Sequence, residues 1–343
     1  MNYKAFFNTL TNRCRTLPIV ILYVTEGCNM RCNMCLYRDT LPDELTLNEI
    51  SQLAGTLSAL GLRHIVYSGG EPLLRKDFPE ICRMFAQYNV KQTLLTNGLL
   101  LSKRFAEFQQ FLNEIIVSID GATAEVHNTI RGVESFDIIL EGIREIVRPN
   151  HRPKISIRTV LQKPNFRALP EMIELAKSSG VDRISFLAVD VSSPAFGRTK
   201  WDSVESKEAI VLSDEECVEF LELVNDVIVK YRDDFNRGFI SEAPAKMFHI
   251  VQYFEALIGK VPYPRNYCNA PNVSAVIRAN GDLLPCFFLP PFGNIKDMGV
   301  DKQLNNEIIR KIRQDVKNYS LQQCKTCVCT LSVHPFAALM NHF

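Results

Sequence analysis

Three cysteines, Cys28, Cys32 and Cys35, fall within the stretch EGCNMRCNMCLY, spaced Cys-x3-Cys-x2-Cys. Three thiolates are one short of the four protein ligands of a structural zinc site. They suffice for three irons of a [4Fe–4S] cluster, whose fourth iron then stays open to a small molecule. A short irregular loop can point all three sulfurs inward. Zinc with a remote fourth ligand, or three unrelated thiols, are the readings that spacing alone leaves open.

A second set lies near the other end. Cys268 and Cys286 flank Asn280-Gly281, a two-residue hairpin signal, and CKTCVC supplies Cys324, Cys327 and Cys329. The hairpin can bring the first two sulfurs to one side, and a later Cys-x2-Cys pair completes four ligands at Cys268, Cys286, Cys324 and Cys327. Cys329 can substitute for Cys327. A structural zinc knuckle and a [4Fe–4S] cluster fit this spacing equally. Cys82 and Cys217 sit on apolar helical faces and read as small hydrophobes, and Cys14 has no assignment.

The elements that must position these groups are legible as alternation. Apolar, β-branched runs at 18–24, 64–68, 91–96, 114–119, 154–160 and 183–189 read as parallel strands covered on both faces. Helical patterns separate them. Thr46 with Glu49 and Ser213 with Glu216 are capping-box signals, and Asp77 precedes a third apolar face. Six strand–helix units predict an α/β fold: a partial (β/α)6 TIM-like barrel followed by a small α+β domain. An open doubly wound sheet would have the same local pattern. The expected division is 16–235 for the barrel and 236–343 for a helical linker plus the second cysteine set. Residues 190–212 interrupt the alternation and read as a loop over the barrel mouth, where Trp201 can cover a substrate.

Composition narrows the function. The 343 residues carry a net charge of +1, with 46% hydrophobic and 22% charged residues. No bulk field exists to draw a nucleic acid or an acidic membrane. No segment approaches a membrane span or a signal-peptide layout, so eleven cysteines argue for metal ligation in a cytoplasmic chain rather than disulfides.

The first cysteine set, followed in order by YSGGEPLLR (67–75), LLTNGLLL (94–101) and VSIDGATAEVHNTIRG (117–132), resembles the radical S-adenosylmethionine (radical SAM) superfamily. Cys-x12-Gly-x4-Cys with a later Cys-x2-Cys resembles the twitch module, a short relative of the SPASM module, which holds one auxiliary [4Fe–4S] cluster. The resemblance implies two [4Fe–4S] clusters and SAM as cofactors. It implies that Gly69 and Gly70 allow close backbone approach, that Glu71 accepts from the SAM ammonium, and that Arg131 pairs with its carboxylate. Ser118 and Asp120 would lie near ribose and methionine, the Met34 backbone near adenine, and Asn97 beside the ligand. Met34 stands where relatives often carry an aromatic residue. His127, in the fourth motif, reads equally as a surface or capping residue.

By the same resemblance, reductive cleavage of SAM yields a 5′-deoxyadenosyl radical that abstracts a substrate hydrogen. The expected partners are a flavodoxin- or ferredoxin-type reductant and a small-molecule or peptide substrate. Oxidation or rearrangement of a small molecule leads, because no peptide-recognition segment precedes residue 16. Modification of a ribosomally made peptide is the alternative, and a two-cluster electron carrier or a zinc-binding interaction protein are the non-catalytic ones.

Overall fold

The computed structural model describes residues 3–149, 152–198 and 207–328. Strands β1 (Ile19–Thr25), β2 (His64–Gly69), β3 (Lys91–Thr96), β4 (Glu114–Ser118), β5 (Lys154–Leu161) and β6 (Arg183–Ala188) agree with the six apolar runs to within a residue at each end. Each pairs with its sequence neighbour in parallel, the topology of a partial barrel built from successive strand–helix units.

All seven residues of β1 are buried, which accounts for its unbroken apolar run. Val20, Leu22 and Val24 join the large core beneath the helices, while Ile19, Ile21 and Tyr23 enter a second cluster with Val273 and Val276. In β2 and β4, buried residues alternate with half-buried ones. Their half-buried face mixes polar and apolar side chains: His64 meets Thr93 at 2.9 Å and Ser156 donates to Glu114 at 2.9 Å, with Val66 and Ile116 on the same face. A packed core on one face and a less buried, mixed surface on the other suit a barrel wall enclosing a binding chamber.

Both capping boxes form, at Thr46/Glu49 and at Ser213/Glu216. Asp77 does precede a helix, Phe78–Ala86, but its carboxylate makes no cap bond. It accepts from Arg75 instead, at 2.6 Å.

The second cysteine set is joined to the barrel more closely than the change of pattern near residue 236 suggests. Ile240 bridges to Ile184 of β6, and helix Pro244–Leu257 packs against that strand. The chain then crosses to the opposite edge. Strand β7 (Ser274–Ile277) pairs in parallel with β1, and β8 (Asp282–Leu284) and β9 (Gly293–Asn294) follow antiparallel. The nine strands form one sheet, β6-β5-β4-β3-β2-β1-β7-β8-β9. The hairpin turns at Asn280-Gly281 as expected, with Gly281 at φ +93°.

Residues 190–198 and 207–212 of the 190–212 loop are described, and the first of these stretches lies against the cysteine loop, where Leu36 N–H donates to Phe196 O at 2.9 Å. Trp201 and Cys329 fall outside the described residues. Among the described residues, no helix is long and apolar enough to cross a membrane.

Candidate active site

The cysteine loop leaves the C-terminal end of β1 and doubles back on itself. Cys28 N–H donates to Arg38 O at 3.0 Å, Cys35 N–H to Cys32 O at 3.3 Å, and Arg38 Nη2 reaches Cys32 O at 3.3 Å. Cys32 is buried, and Cys28 and Cys35 are half-buried. Burial pushes the Cys35 thiol up to about 11 and raises Cys28 as well. Such thiols stay protonated at neutral pH unless a positive centre binds them, and iron supplies that charge.

The ends of the next strands converge on this loop. After β2, Gly70 N–H donates to Thr25 O at 2.9 Å and Glu71 N–H to Gly27 O at 2.8 Å. Gly69 is at φ +120°, and a Cβ there would lie 2.1 Å from Thr25 O. A Cβ on Gly70 would lie 2.1 Å from Gly27 O and 2.6 Å from Glu26 O. The close approach that the two glycines allow is therefore, first of all, to the cysteine loop itself. Gly70→Ala must push that loop away, and overpacking of this kind costs about 1–3 kcal/mol. The expected result is lower iron content and SAM affinity weakened about tenfold, read by iron assay and equilibrium binding.

Glu71 is fully buried and already receives three donors: Leu73 N–H at 3.0 Å, Thr96 Oγ1 at 2.8 Å and Asn97 N–H at 2.7 Å. Burial raises its pKa while those bonds oppose the rise. Asn97 Nδ2 in turn donates to Asn29 Oδ1, inside the cysteine loop, at 2.8 Å. Glu71 and Asn97 thus form a brace between β3 and that loop.

Beyond β4, Ser118 faces the chamber, and its hydroxyl has no partner among the described residues. Asp120 is fully buried: Oδ1 accepts from Val160 N–H at 2.8 Å, and Oδ2 lies 2.6 Å from Arg131 Nη2, an ion-pair contact off hydrogen-bond geometry. Arg131 Nη1 lies 3.8 Å from Cys32 Sγ. Burial disfavours the arginine's charge, but Asp120 and Cys32 outweigh it and raise its pKa. His127, far from being a surface residue, is wholly buried and donates no cap; its Nδ1 accepts from Asp120 N–H at 3.3 Å. Burial lowers its pKa to about 3, so the ring is neutral.

Two positioning residues carry no signal in the sequence reading. Gln162, just beyond β5, accepts from Asn33 Nδ2 at 2.9 Å and donates to Met34 Sδ at 3.2 Å. Asn165 donates to Asp120 O at 2.9 Å and accepts from Gln162 N–H at 2.8 Å. Both follow a strand that was legible, within the polar run QKPN. Their partners Asn33, Met34 and Asp120 lie more than forty residues away in sequence, so no local pattern betrays those contacts.

Cys268, Cys286, Cys324 and Cys327 all line one cavity of about 70 Å³, together with Pro271, Val276, Phe287, Phe288 and Leu289. Burial in this apolar lining pushes Cys286 up to about 12 and Cys324 to about 11. Among the described residues the sulfurs ring a void, and no three His, Cys, Asp or Glu side chains draw together around a single ion. Four soft donors around an apolar void match the needs of an iron–sulfur cluster. The two sites communicate through packing. Tyr37 meets Tyr23 edge-on, Tyr23 stacks on Phe287 at 6.3 Å, and Phe196 stacks on Phe287 at 6.2 Å. Arg278, from the hairpin, grips Glu26, just before Cys28, with two bonds of 2.7 Å.

Comparison with known proteins agrees with this geometry. Residues 22–176 match the family model described as the radical SAM superfamily, and residues 268–328 match an iron–sulfur cluster-binding domain, SPASM. A GTP 3′,8-cyclase of Marinobacter nauticus is 30% identical over 286 residues, 81% of each chain. The chain belongs to the radical SAM superfamily. A second relative, the GTP 3′,8-cyclase of Shewanella denitrificans, is 29% identical over 90% of both chains. Among solved structures, Streptococcus suis SuiB bound to S-adenosylmethionine covers 93% of this radical SAM chain and 74% of its own, with a TM-score of 0.62 at 16% identity. The structure of anSMEcpe with bound AdoMet gives 0.65 at 16% identity, covering 90% and 84%. These two likenesses establish the fold. As a radical SAM enzyme, the protein uses SAM and [4Fe–4S] clusters as its cofactors.

Proposed function

We propose that this radical SAM enzyme binds a SAM-cleaving cluster through Cys28, Cys32 and Cys35 and a second cluster through Cys268, Cys286, Cys324 and Cys327, and that its substrate is a small molecule. The observation carrying this reading is the convergence of separate strand ends on one cysteine loop: Gly70 on Thr25, Asn97 on Asn29, Arg131 on Cys32, and Gln162 on Asn33 and Met34.

When bound, the reduced cluster and SAM supply a 5′-deoxyadenosyl radical able to remove hydrogen from an unactivated C–H bond. The chain's own groups do the positioning. The Glu71–Asn97 brace fixes the loop's height against β3. Arg131 brings fixed positive charge to within 3.8 Å of the Cys32 sulfur. Ser118, with its free hydroxyl, is the chamber group open to a ligand hydrogen bond, and the Met34 backbone borders the adenine side. The packed aromatic residues Tyr23, Phe196 and Phe287 exclude water between the two cysteine sets, which protects a radical from side reactions.

A small-molecule substrate is supported by the relatives that share most of the chain's length, which act on GTP, whereas the peptide-binding neighbours share fold at 16–18% identity. GTP is the first compound to assay. Protein reconstituted anaerobically with iron and sulfide, then given dithionite and SAM, should release 5′-deoxyadenosine. Deuterium should pass into that product from a labelled small molecule, and transfer from a peptide alone would overturn the small-molecule reading. No 5′-deoxyadenosine under any condition would overturn the catalytic reading itself.

A further inference from the structure

On the chamber face of the wall, one level holds three polar side chains in a row. Ser118 of β4 pairs in register with Arg158 of β5, and Arg158 with Ser185 of β6. Their strand neighbours Val117, Ile157, Ile184 and Phe186 all enter the core beneath the helices, so the row points the other way. A wall that needed only filling would carry an aliphatic residue at the centre of that row, because a half-buried guanidinium costs desolvation.

Arg158 is half-buried, and among the described residues its one hydrogen bond runs from Nε to Ser185 Oγ, at 3.1 Å. Its two terminal nitrogens have no partner there. Each of the other buried or half-buried arginines among the described residues spends a terminal nitrogen on a carboxylate or a backbone carbonyl. The bond from Nε fixes the guanidinium plane and leaves the edge formed by Nη1 and Nη2 open, the geometry that grips an oxyanion with two parallel bonds. One carboxylate lies near. Glu242 accepts from Phe186 N–H at 2.8 Å, and burial pushes its carboxyl up to about 7 against the pull of that bond, Arg158 and Lys246. A carboxyl so placed leaves much of the arginine's charge uncompensated at neutral pH. Lys246 adds a second cation on this side, its Nζ reaching Val328 O, next to Cys327, at 3.4 Å.

We propose that Arg158 anchors the substrate by an oxyanion group, a phosphate or a carboxylate, held in a fork by Nη1 and Nη2. The proposal rests on the small-molecule reading and adds a chemical class to it. The substrate is an anion, and its charged end lies against β5. A neutral compound would leave the fork empty.

Phenylglyoxal, which modifies open guanidinium groups, is the reporter, and inorganic phosphate and succinate are the probes. The wild-type protein, reconstituted and kept anaerobic, is treated with and without SAM. Modification of Arg158 and of the exposed Arg232 is read by peptide mass spectrometry. Arg158 should react at the same rate whether or not SAM is present. At least one of the two anions should slow that reaction about tenfold at about ten times its dissociation constant, with Arg232 unaffected. Protection by phosphate at the lower concentration names a phosphorylated substrate, the reverse order names a carboxylate, and equal protection supports the fork for either. Glu242→Gln removes a facing negative charge and should lower the protecting concentration about threefold. An Arg158 that resists phenylglyoxal with no anion present overturns the proposal, as does protection by neither anion. Protection by SAM alone overturns it by assigning the guanidinium to the cofactor, and an unchanged concentration in Glu242→Gln does so by placing the anion elsewhere. Failure of the small-molecule reading appears separately, as deuterium passing to 5′-deoxyadenosine from a peptide alone.

Discussion

Cys32→Ala should abolish 5′-deoxyadenosine formation and remove about half of the bound iron, from about eight to about four atoms per chain. Cys32 is the buried member of its set and the one in contact with Arg131 Nη1. Its loss leaves two half-buried sulfurs, too few to hold a cubane with one open iron. The remaining iron belongs to the second set, whose cavity lies across the Tyr23–Phe287 stack and loses no ligand. Cys286→Ala should have the complementary effect: the same iron loss, with SAM cleavage by dithionite retained. Metal analysis and quantified 5′-deoxyadenosine decide both. Equal loss of all iron in Cys32→Ala would mean that the two sites do not assemble independently.

Arg131→Leu should destabilise the iron-free protein by about 3–5 kcal/mol, the cost of leaving a buried carboxylate without its partner. Asp120 has no solvent exposure, and Arg131 is almost as buried. Burial already pushes the Asp120 carboxyl up, with Arg131 as the main opposing influence. Denaturant unfolding measures the loss. Asp120→Asn combined with Arg131→Leu should recover part of it, because the stranded charge is gone. A single-variant effect below about 1 kcal/mol would show that the pair is solvated and that Arg131 is free to swing toward a ligand. Arg131→Leu should also lower SAM-cleaving activity in refolded, reconstituted protein, since Cys32 loses its neighbouring positive charge.

How much of this was written in the residues depends on whether a contact is local. The six barrel strands were legible because each carries clustered Val, Ile or Leu side chains buried on at least one face. Capping boxes at Thr46 and Ser213 span three residues and formed as read, and so did the Asn280-Gly281 turn. Asp77 failed as a cap because Arg75, two residues before it, competes for the same carboxylate. The cysteine sets were legible from spacing, and the second was found lining one cavity. The clasp by Gln162 was not, since its partners lie across the barrel mouth. Neither was the set of three donors to Glu71, which come from its own turn and from the end of β3 and the residue after it. The attachment of the hairpin to β1 was also hidden. A parallel pairing between residues 19–22 and 274–277 leaves no trace in either segment alone.

That pairing has a mechanical consequence. β1 ends in one cysteine loop, and its neighbour β7 opens the hairpin that leads to Cys286, so the two cysteine sets hang from adjacent strands of one hydrogen-bonded sheet. Two hinged lobes would let the gap between them widen and close with thermal motion. Here one continuous sheet carries both cysteine sets, so their separation is braced by backbone hydrogen bonds and not by a hinge.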